Sequence, residues 1–140
     1  METRTKAKLG SRILASLIDY TIIIIFYIIY VYKFGEQNDE GGYTVTGLSA
    51  LIPFVFWFVF LIVVESLFSA TLGHLIMGLK VTNIDNTRIG FIESLQRHIV
   101  DIIDFIPFGI PAIICINNTP NNQRIGDLWA KTIVIVDEDE

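Results

Sequence analysis

Two stretches of the chain run so long without polar interruption that they set the architecture. From Ile13 to Tyr32 the only charge is Asp19, and from Gly47 to Phe68 the only charge is Glu65. A helix needs about 20 apolar residues to cross the ~30 Å hydrocarbon core of a bilayer, and both stretches reach that length. The run LIPFVFWFVFLIVV (Leu51 to Val64) is apolar on every helical face, which suits lipid or complete burial. A chain of 140 residues cannot enclose two such helices in a soluble core. The pattern predicts membrane-spanning helices over residues 13–32 and 47–68.

The third apolar stretch, Ile99 to Ile116, is interrupted by Asp101, Asp104, Pro107, Gly109 and Pro111. Two readings are open. A kinked spanning helix leaves the C-terminus on the far side. A helix–break–helix dips in and returns, each half too short to cross and its broken backbone buried against protein. The second is preferred, because it lets TIVIV (Thr132 to Val136) meet GLKV (Gly78 to Val81) and pair as strands.

Between the second and third stretches, residues 69–98 change character. Leu79, Val81 and Asn83 alternate with Lys80, Thr82 and Ile84, and Asp85-Asn86-Thr87 supplies turn chemistry, so a short β-hairpin is expected there. FIESLQRHIV (Phe91 to Val100) reads as a short amphipathic helix. The expected fold is an α-helical integral membrane protein with two full transmembrane helices. A third broken, re-entrant segment over 99–116 and a small cytoplasmic β-hairpin or strand element complete it. Residues 1–140 form one domain, with 117–140 as the C-terminal segment.

Composition agrees, with 52% hydrophobic residues and a mean hydropathy of +0.56. The net charge of −5 conceals an asymmetry. Arg4, Lys6, Lys8 and Arg12 precede the first helix, the loop Lys33 to Thr46 carries three acids against one base, and Lys80, Arg88 and Arg97 follow the second helix. Basic loops stay cytoplasmic, so the N-terminus and the central loop are expected inside. A secretory signal is the competing reading of the N-terminal segment. Its apolar part is too long, however, and no small-residue cleavage site follows. The acidic balance and the apolar surface argue against nucleic acid as a partner. The lipid bilayer is the expected one. Cys115 is the only cysteine, so no internal disulfide forms.

This topology gathers charge. Asp19 lies about 10 Å from the start of its helix at 1.5 Å per residue, Glu65 lies one turn from the end of the next, and Asp101 and Asp104 occupy the first turns of the third stretch. All four carboxylates fall in the cytoplasmic leaflet if the helices pack together. Arg97, Asp101 and Asp104 share a helical stripe. Arg12 is too far along its own helix to pair with Asp19, and is expected to reach an acid on a neighbouring helix or to snorkel to phosphates. Buried charges in membrane helices either fix packing as ion pairs or mark ion and proton paths. Both alternatives are open, the latter implying small cations or protons as partners. His74 and His98 have no partners at zinc-ligand spacing, and no phosphate loop, nucleophile elbow or HExxH occurs. No catalytic residue, metal site or cofactor is expected, and nothing resembles an enzyme. Tyr27, Tyr30, Tyr32 and Tyr43 suit the outer interface and Trp129 the inner one.

RILASLID (Arg12 to Asp19), ATLGHLIMGLKV (Ala70 to Val81), the arginine of SLQRHIVD and QRIGDLWAKTIVIV (Gln123 to Val136) resemble, in this order, the RDD family of small bacterial membrane proteins. The family is named for an arginine and two aspartates, which Arg12, Asp19 and Asp127 match best. Two positions depart from the family pattern. His74 stands where a basic residue is usual, and Lys131 where DLLAGT-like motifs have glycine. The resemblance implies a multi-pass protein of the bacterial inner membrane and a suspected transport role, some relatives being linked to sodium–proton exchange. On that basis the expected function is Na⁺ or K⁺/H⁺ transport by a homo-oligomer, through a site or buried ion-pair network of Arg12, Asp19, Glu65, Arg97, Asp101, Asp104 and Asp127. The alternative is a non-transporting scaffold or regulatory partner of another membrane protein. Asp127 is expected to cap the short helix that follows it or to receive an arginine such as Arg12.

Overall fold

Helix α1 runs from Leu9 to Phe34; its 26 residues extend about 39 Å at 1.5 Å per residue. It starts four residues before the expected Ile13 because Ala7 is held in extended backbone pairing, its N–H donating to Val134 O at 3.0 Å. In this computed structural model, residues 5–101, 103 and 109–137 are described. Short strands β1 (Glu36–Gln37) and β2 (Tyr43–Thr44) then pair antiparallel. The expected plain loop is therefore a small hairpin. Its turn is tied by Gly42 N–H donating to Asn38 Oδ1 at 2.7 Å.

Helix α2 covers Gly47–Phe68, the range expected from the sequence. Within it, Phe58–Val63 widens to π-helical winding. Such bulges occur often at functional sites. Here the bulge ends two residues before Glu65, and the Ile62 carbonyl accepts a hydrogen bond from Ser94 Oγ at 3.0 Å. Helices α1 and α2 are both long and apolar enough to cross a membrane. Their outward faces are bare hydrocarbon, with Ile28 and Phe54 each 59% exposed. A soluble core helix would bury such residues, so these faces fit a lipid solvent. Away from the site the two helices are joined by Phe26 stacked on Phe56 at 3.8 Å and by Tyr30 Oη donating to Ser49 O at 2.9 Å.

The chain leaves α2 at Ser69, in left-handed conformation, and enters α3 (Leu72–Ile76), whose N-cap is Thr71. Strand β3 (Leu79–Asn83), helix α4 (Phe91–Ile99), helix α5 (Ile110–Asn118), helix α6 (Ile125–Ala130) and strand β4 (Thr132–Val136) complete the described order. The hairpin expected after Leu79 is reduced to a single bridge, Thr82 to Arg88. The main partner of β3 is β4, antiparallel from Leu79 opposite Val136 to Asn83 opposite Thr132. The reason is burial. Leu79, Val81 and Val134 close a small core with Ala7, Ala15 and Ile89, whereas the residues after Thr87 turn at Gly90 into α4 before a second strand can grow. Residues 5–7 flank β4 on its other side.

The third apolar stretch is not one helix. Helix α5 starts after Gly109, whose φ of 76° breaks the run, with Pro111 in its first turn. Arg97 on one side of the stretch and Asn122 on the other meet at the same place. Arg97 donates to Asp127, and Asn122 O accepts from Arg12, which also donates to Asp127. The stretch therefore begins and ends at the end of the molecule that carries the β3/β4 sheet, called the sheet end below. Asp104 and Pro107 lie outside the described residues.

Candidate functional site

Every element at the sheet end delivers a charged or hydrogen-bonding side chain to one buried cluster. Glu65 comes from α2, Arg97 and His98 from α4, Asp101 from just beyond α4, Arg124 from the start of α6 and Asp127 from its first turn. The pairs close a ring. Arg97 grips Glu65 in a two-point fork, Nε to Oε2 and Nη2 to Oε1, both at 3.1 Å. Its remaining nitrogen, Nη1, donates to Asp127 Oδ1 and, at 3.2 Å, touches Thr132 Oγ1. Arg124 Nε stands 3.7 Å from Asp127, and its Nη1 donates to Asp101 at 3.0 Å. His98 links Asp101, 2.7 Å from Nδ1, back to Glu65, 3.2 Å from Nε2. The latter contact is close enough for ion pairing but off-line for a hydrogen bond. Arg12 of α1 joins from outside by donating to Asp127, and Tyr20 Oη donates to Asp101 at 2.9 Å.

Burial sets the stakes. Glu65, Arg97 and Asp127 are all 0% exposed. An arginine fork matches carboxylate geometry at two points, which a lysine cannot do. Ser94 Oγ adds a further hydrogen bond to Glu65 at 2.9 Å. Asp127 sits at the third position of α6 and accepts from the N–H of Arg124 at 3.0 Å, so it caps the helix from within. The expectation had the helix following Asp127. Instead it begins two residues earlier, because the carboxylate reaches back to the free N–H groups of the first turn. Burial by itself would raise the Asp127 carboxyl. Arg97, Arg12 and Arg124 override it and hold the group well below the usual carboxylate range.

Asp101 does not pair with Arg97 four residues before it, as the helical stripe suggested. Arg97 is drawn to Glu65 and Asp127 on other elements, and Asp101 is left to His98, Tyr20 and Arg124. Asp19 also differs from expectation. Among the described residues no Lys, Arg or His nitrogen lies within ion-pair distance of it. It accepts instead from Thr71 Oγ1 at 2.6 Å and Gly73 N–H at 2.7 Å. Gly73 is required there, since a Cβ would stand 2.0 Å from Ala15 O of α1. Gly126 has the same role against α4, where a Cβ would stand 2.5 Å from Arg97 O. Asp104 lies outside the described residues.

Sequence reasoning missed Arg124, Thr71, Ser94, Tyr20 and His98 as members of the cluster. His98 is buried, 4% exposed. The available signals were the His98-to-Asp101 and Arg124-to-Asp127 spacings of three residues, which share a helix face. Burial alone would lower His98. Glu65 and Asp101 overcome this and raise it from 6.5 to about 9. With His98 protonated, Arg12, Arg97, Arg124 and His98 face the three ring acids Glu65, Asp101 and Asp127. Because the folded-state value is raised, the stabilisation is complete below 6.5 and is lost as pH rises through about 9. The unfolding midpoint is therefore expected to fall across that interval. Replacing His98 with Gln should flatten the slope, and an equal slope in both proteins would refute the assignment. Among the described residues no group of three His, Cys, Asp or Glu side chains is arranged to hold a metal ion.

The RDD family model matches residues 6–131, a range that contains the whole ring. The chain belongs to the RDD family. No curated protein and no solved structure matches it significantly. Family membership and the two apolar helices mark it as a membrane protein. Of the three residues matched to the family name, Arg12 and Asp127 pair directly, while Asp19, also on α1, turns instead to Thr71 and Gly73 at the start of α3. The family's usual glycine near the end of the last motif also gains a reason. Lys131 occupies that position with φ of 54°, a left-handed conformation that glycine adopts without steric cost.

Proposed function

We propose that this RDD protein lies in the bacterial inner membrane as a homo-oligomer and exchanges protons for Na⁺ or K⁺, with Asp19 as the exchanging carboxylate. The N-terminus and the sheet end face the cytoplasm in this reading, as the positions of the basic residues favour. The third stretch then enters the membrane and returns. The observation that carries the proposal is the state of the acids. Glu65, Asp101 and Asp127 are each paired with arginine or histidine, so a cation would have to displace a buried positive charge to reach them. Asp19 has only neutral donors among the described residues. An intramembrane carboxylate without a cationic partner is costly unless it binds a proton or an ion. Two spanning helices enclose little aqueous path, which favours an oligomer.

The ring itself favours a second reading, in which the charges only hold five elements together and the protein is a scaffold or regulatory partner. Proton flux in proteoliposomes, driven by an imposed Na⁺ or K⁺ gradient, separates the two. Cation-dependent flux in the native protein, absent from a folded and inserted Asp19→Asn variant, is expected. Flux no greater than that of empty liposomes with either cation would remove the exchange reading and leave the scaffold.

A further inference from the structure

Asp19 terminates a line of hydrogen bonds that leads to a cavity. Thr71 Oγ1 lies 2.6 Å from Asp19 Oδ2 and 2.8 Å from His74 Nδ1. A hydroxyl has one proton to donate. When that proton points at Asp19, His74 must carry its own proton on Nδ1 and donate it to Thr71, which leaves Nε2 bare. His74 lines a cavity of about 530 Å³ between α1 and α5, whose wall also includes Ser16, Tyr20, Ile113 and Arg124. Burial outweighs the pull of Glu65 and lowers His74 to about 3, so its ring is neutral and has one donor and one acceptor nitrogen.

We propose that Asp19 exchanges its proton with this cavity through Thr71 and His74. A proton arriving from the cavity binds His74 Nε2. The Nδ1–H bond breaks as Thr71 Oγ1 takes that proton, and the original O–H bond of Thr71 breaks as Asp19 Oδ2 takes the other. One proton has moved from the cavity to Asp19. Thr71 ends neutral, and His74 ends neutral in the opposite tautomer. Release runs the same steps backwards. Gly73 N–H fixes the other carboxylate oxygen at 2.7 Å and offers no route, because an amide does not give up its proton. The charged groups that act on Asp19 are His98 and Glu65, of opposite sign. Those that act on His74 are Glu65, Arg97, Arg12 and Arg124.

This inference rests on Asp19 being the exchanging carboxylate, so its test reads the carboxyl itself and not only flux. The full chain in liposomes is subjected to a pH jump while the infrared band of a protonated carboxyl is followed, the band being assigned by its loss in Asp19→Asn. Thr71→Val and His74→Gln are each expected to slow the band's response by about 10²-fold, the lower range of positioned proton transfer. Thr71→Ser, which keeps the hydroxyl, should respond at close to the native rate. A native rate in either Thr71→Val or His74→Gln overturns the relay, as does the absence of an Asp19 band from the native protein at every pH tested. A band that responds as expected in a protein without cation-dependent flux supports the relay while removing the exchange reading.

Discussion

Asp127→Ala is expected to yield almost no stably folded protein. The carboxylate accepts from Arg12 and Arg97 and caps the N–H of Arg124, and both arginine side chains are buried. Removing one partner of a buried ion pair costs about 3–5 kcal/mol, and the lost cap adds about 1 kcal/mol. Whole domains are stable by only about 5–15 kcal/mol, so the single change consumes most of that margin. The loss falls on α1, α4 and α6 together, since Asp127 is the group they share. Yield of monodisperse protein in detergent and the unfolding midpoint are the measurements. Asp137→Ala is the control, because among the described residues the Asp137 side chain is engaged in a partly exposed contact with Lys80 at 3.8 Å, worth at most about 1 kcal/mol. Native yield and midpoint for Asp127→Ala would show that the ring does not hold the fold.

The second large effect needs no charge. Gly73→Ala places a methyl group 2.0 Å from Ala15 O and 2.8 Å from Asp19 Oδ2. Both neighbours belong to α1, and the nearer is backbone, so the methyl cannot be accommodated by turning a side chain. Helices α1 and α3 must move apart, which weakens both hydrogen bonds to Asp19. Overpacking costs roughly 1–3 kcal/mol, and a backbone clash belongs at the upper end. Any proton exchange at Asp19 should change with it. Gly10→Ala, on the same helix as Asp19, meets nothing within 4 Å and should gain up to about 1 kcal/mol from helix propensity. If both variants unfold at the native midpoint, the close approach of α1 and α3 is not as described.

These two predictions separate what each level of structure contributes. The apolar runs announced α1 and α2, and the end of α2 at Phe68 agreed with its pattern because leaving a helix of that length requires a polar break. The amphipathic FIESLQRHIV became α4 over Phe91–Ile99, and the β-branched TIVIV became β4. The β1/β2 hairpin escaped notice because its strands are two residues long and show no alternation. The hairpin expected after β3 gave way to pairing with β4, because apolar side chains on both strands had a core to fill with Ala7 and Ala15.

Sequence by itself determined which two segments are long and apolar enough to cross a membrane and that Asp19 and Glu65 lie within them. Both are matters of composition along a line, and hydrophobic transfer depends only on the residues transferred. Partner choice was decided only by the tertiary structure. Arg97 passes over Asp101, its neighbour on the helix, for Glu65 and Asp127, which are distant in sequence. Asp19 receives a hydroxyl and an amide in place of an arginine. Coulombic and hydrogen-bonding energies change within an ångström of separation and with small changes of angle, and those distances exist only once α1, α2, α4 and α6 have packed.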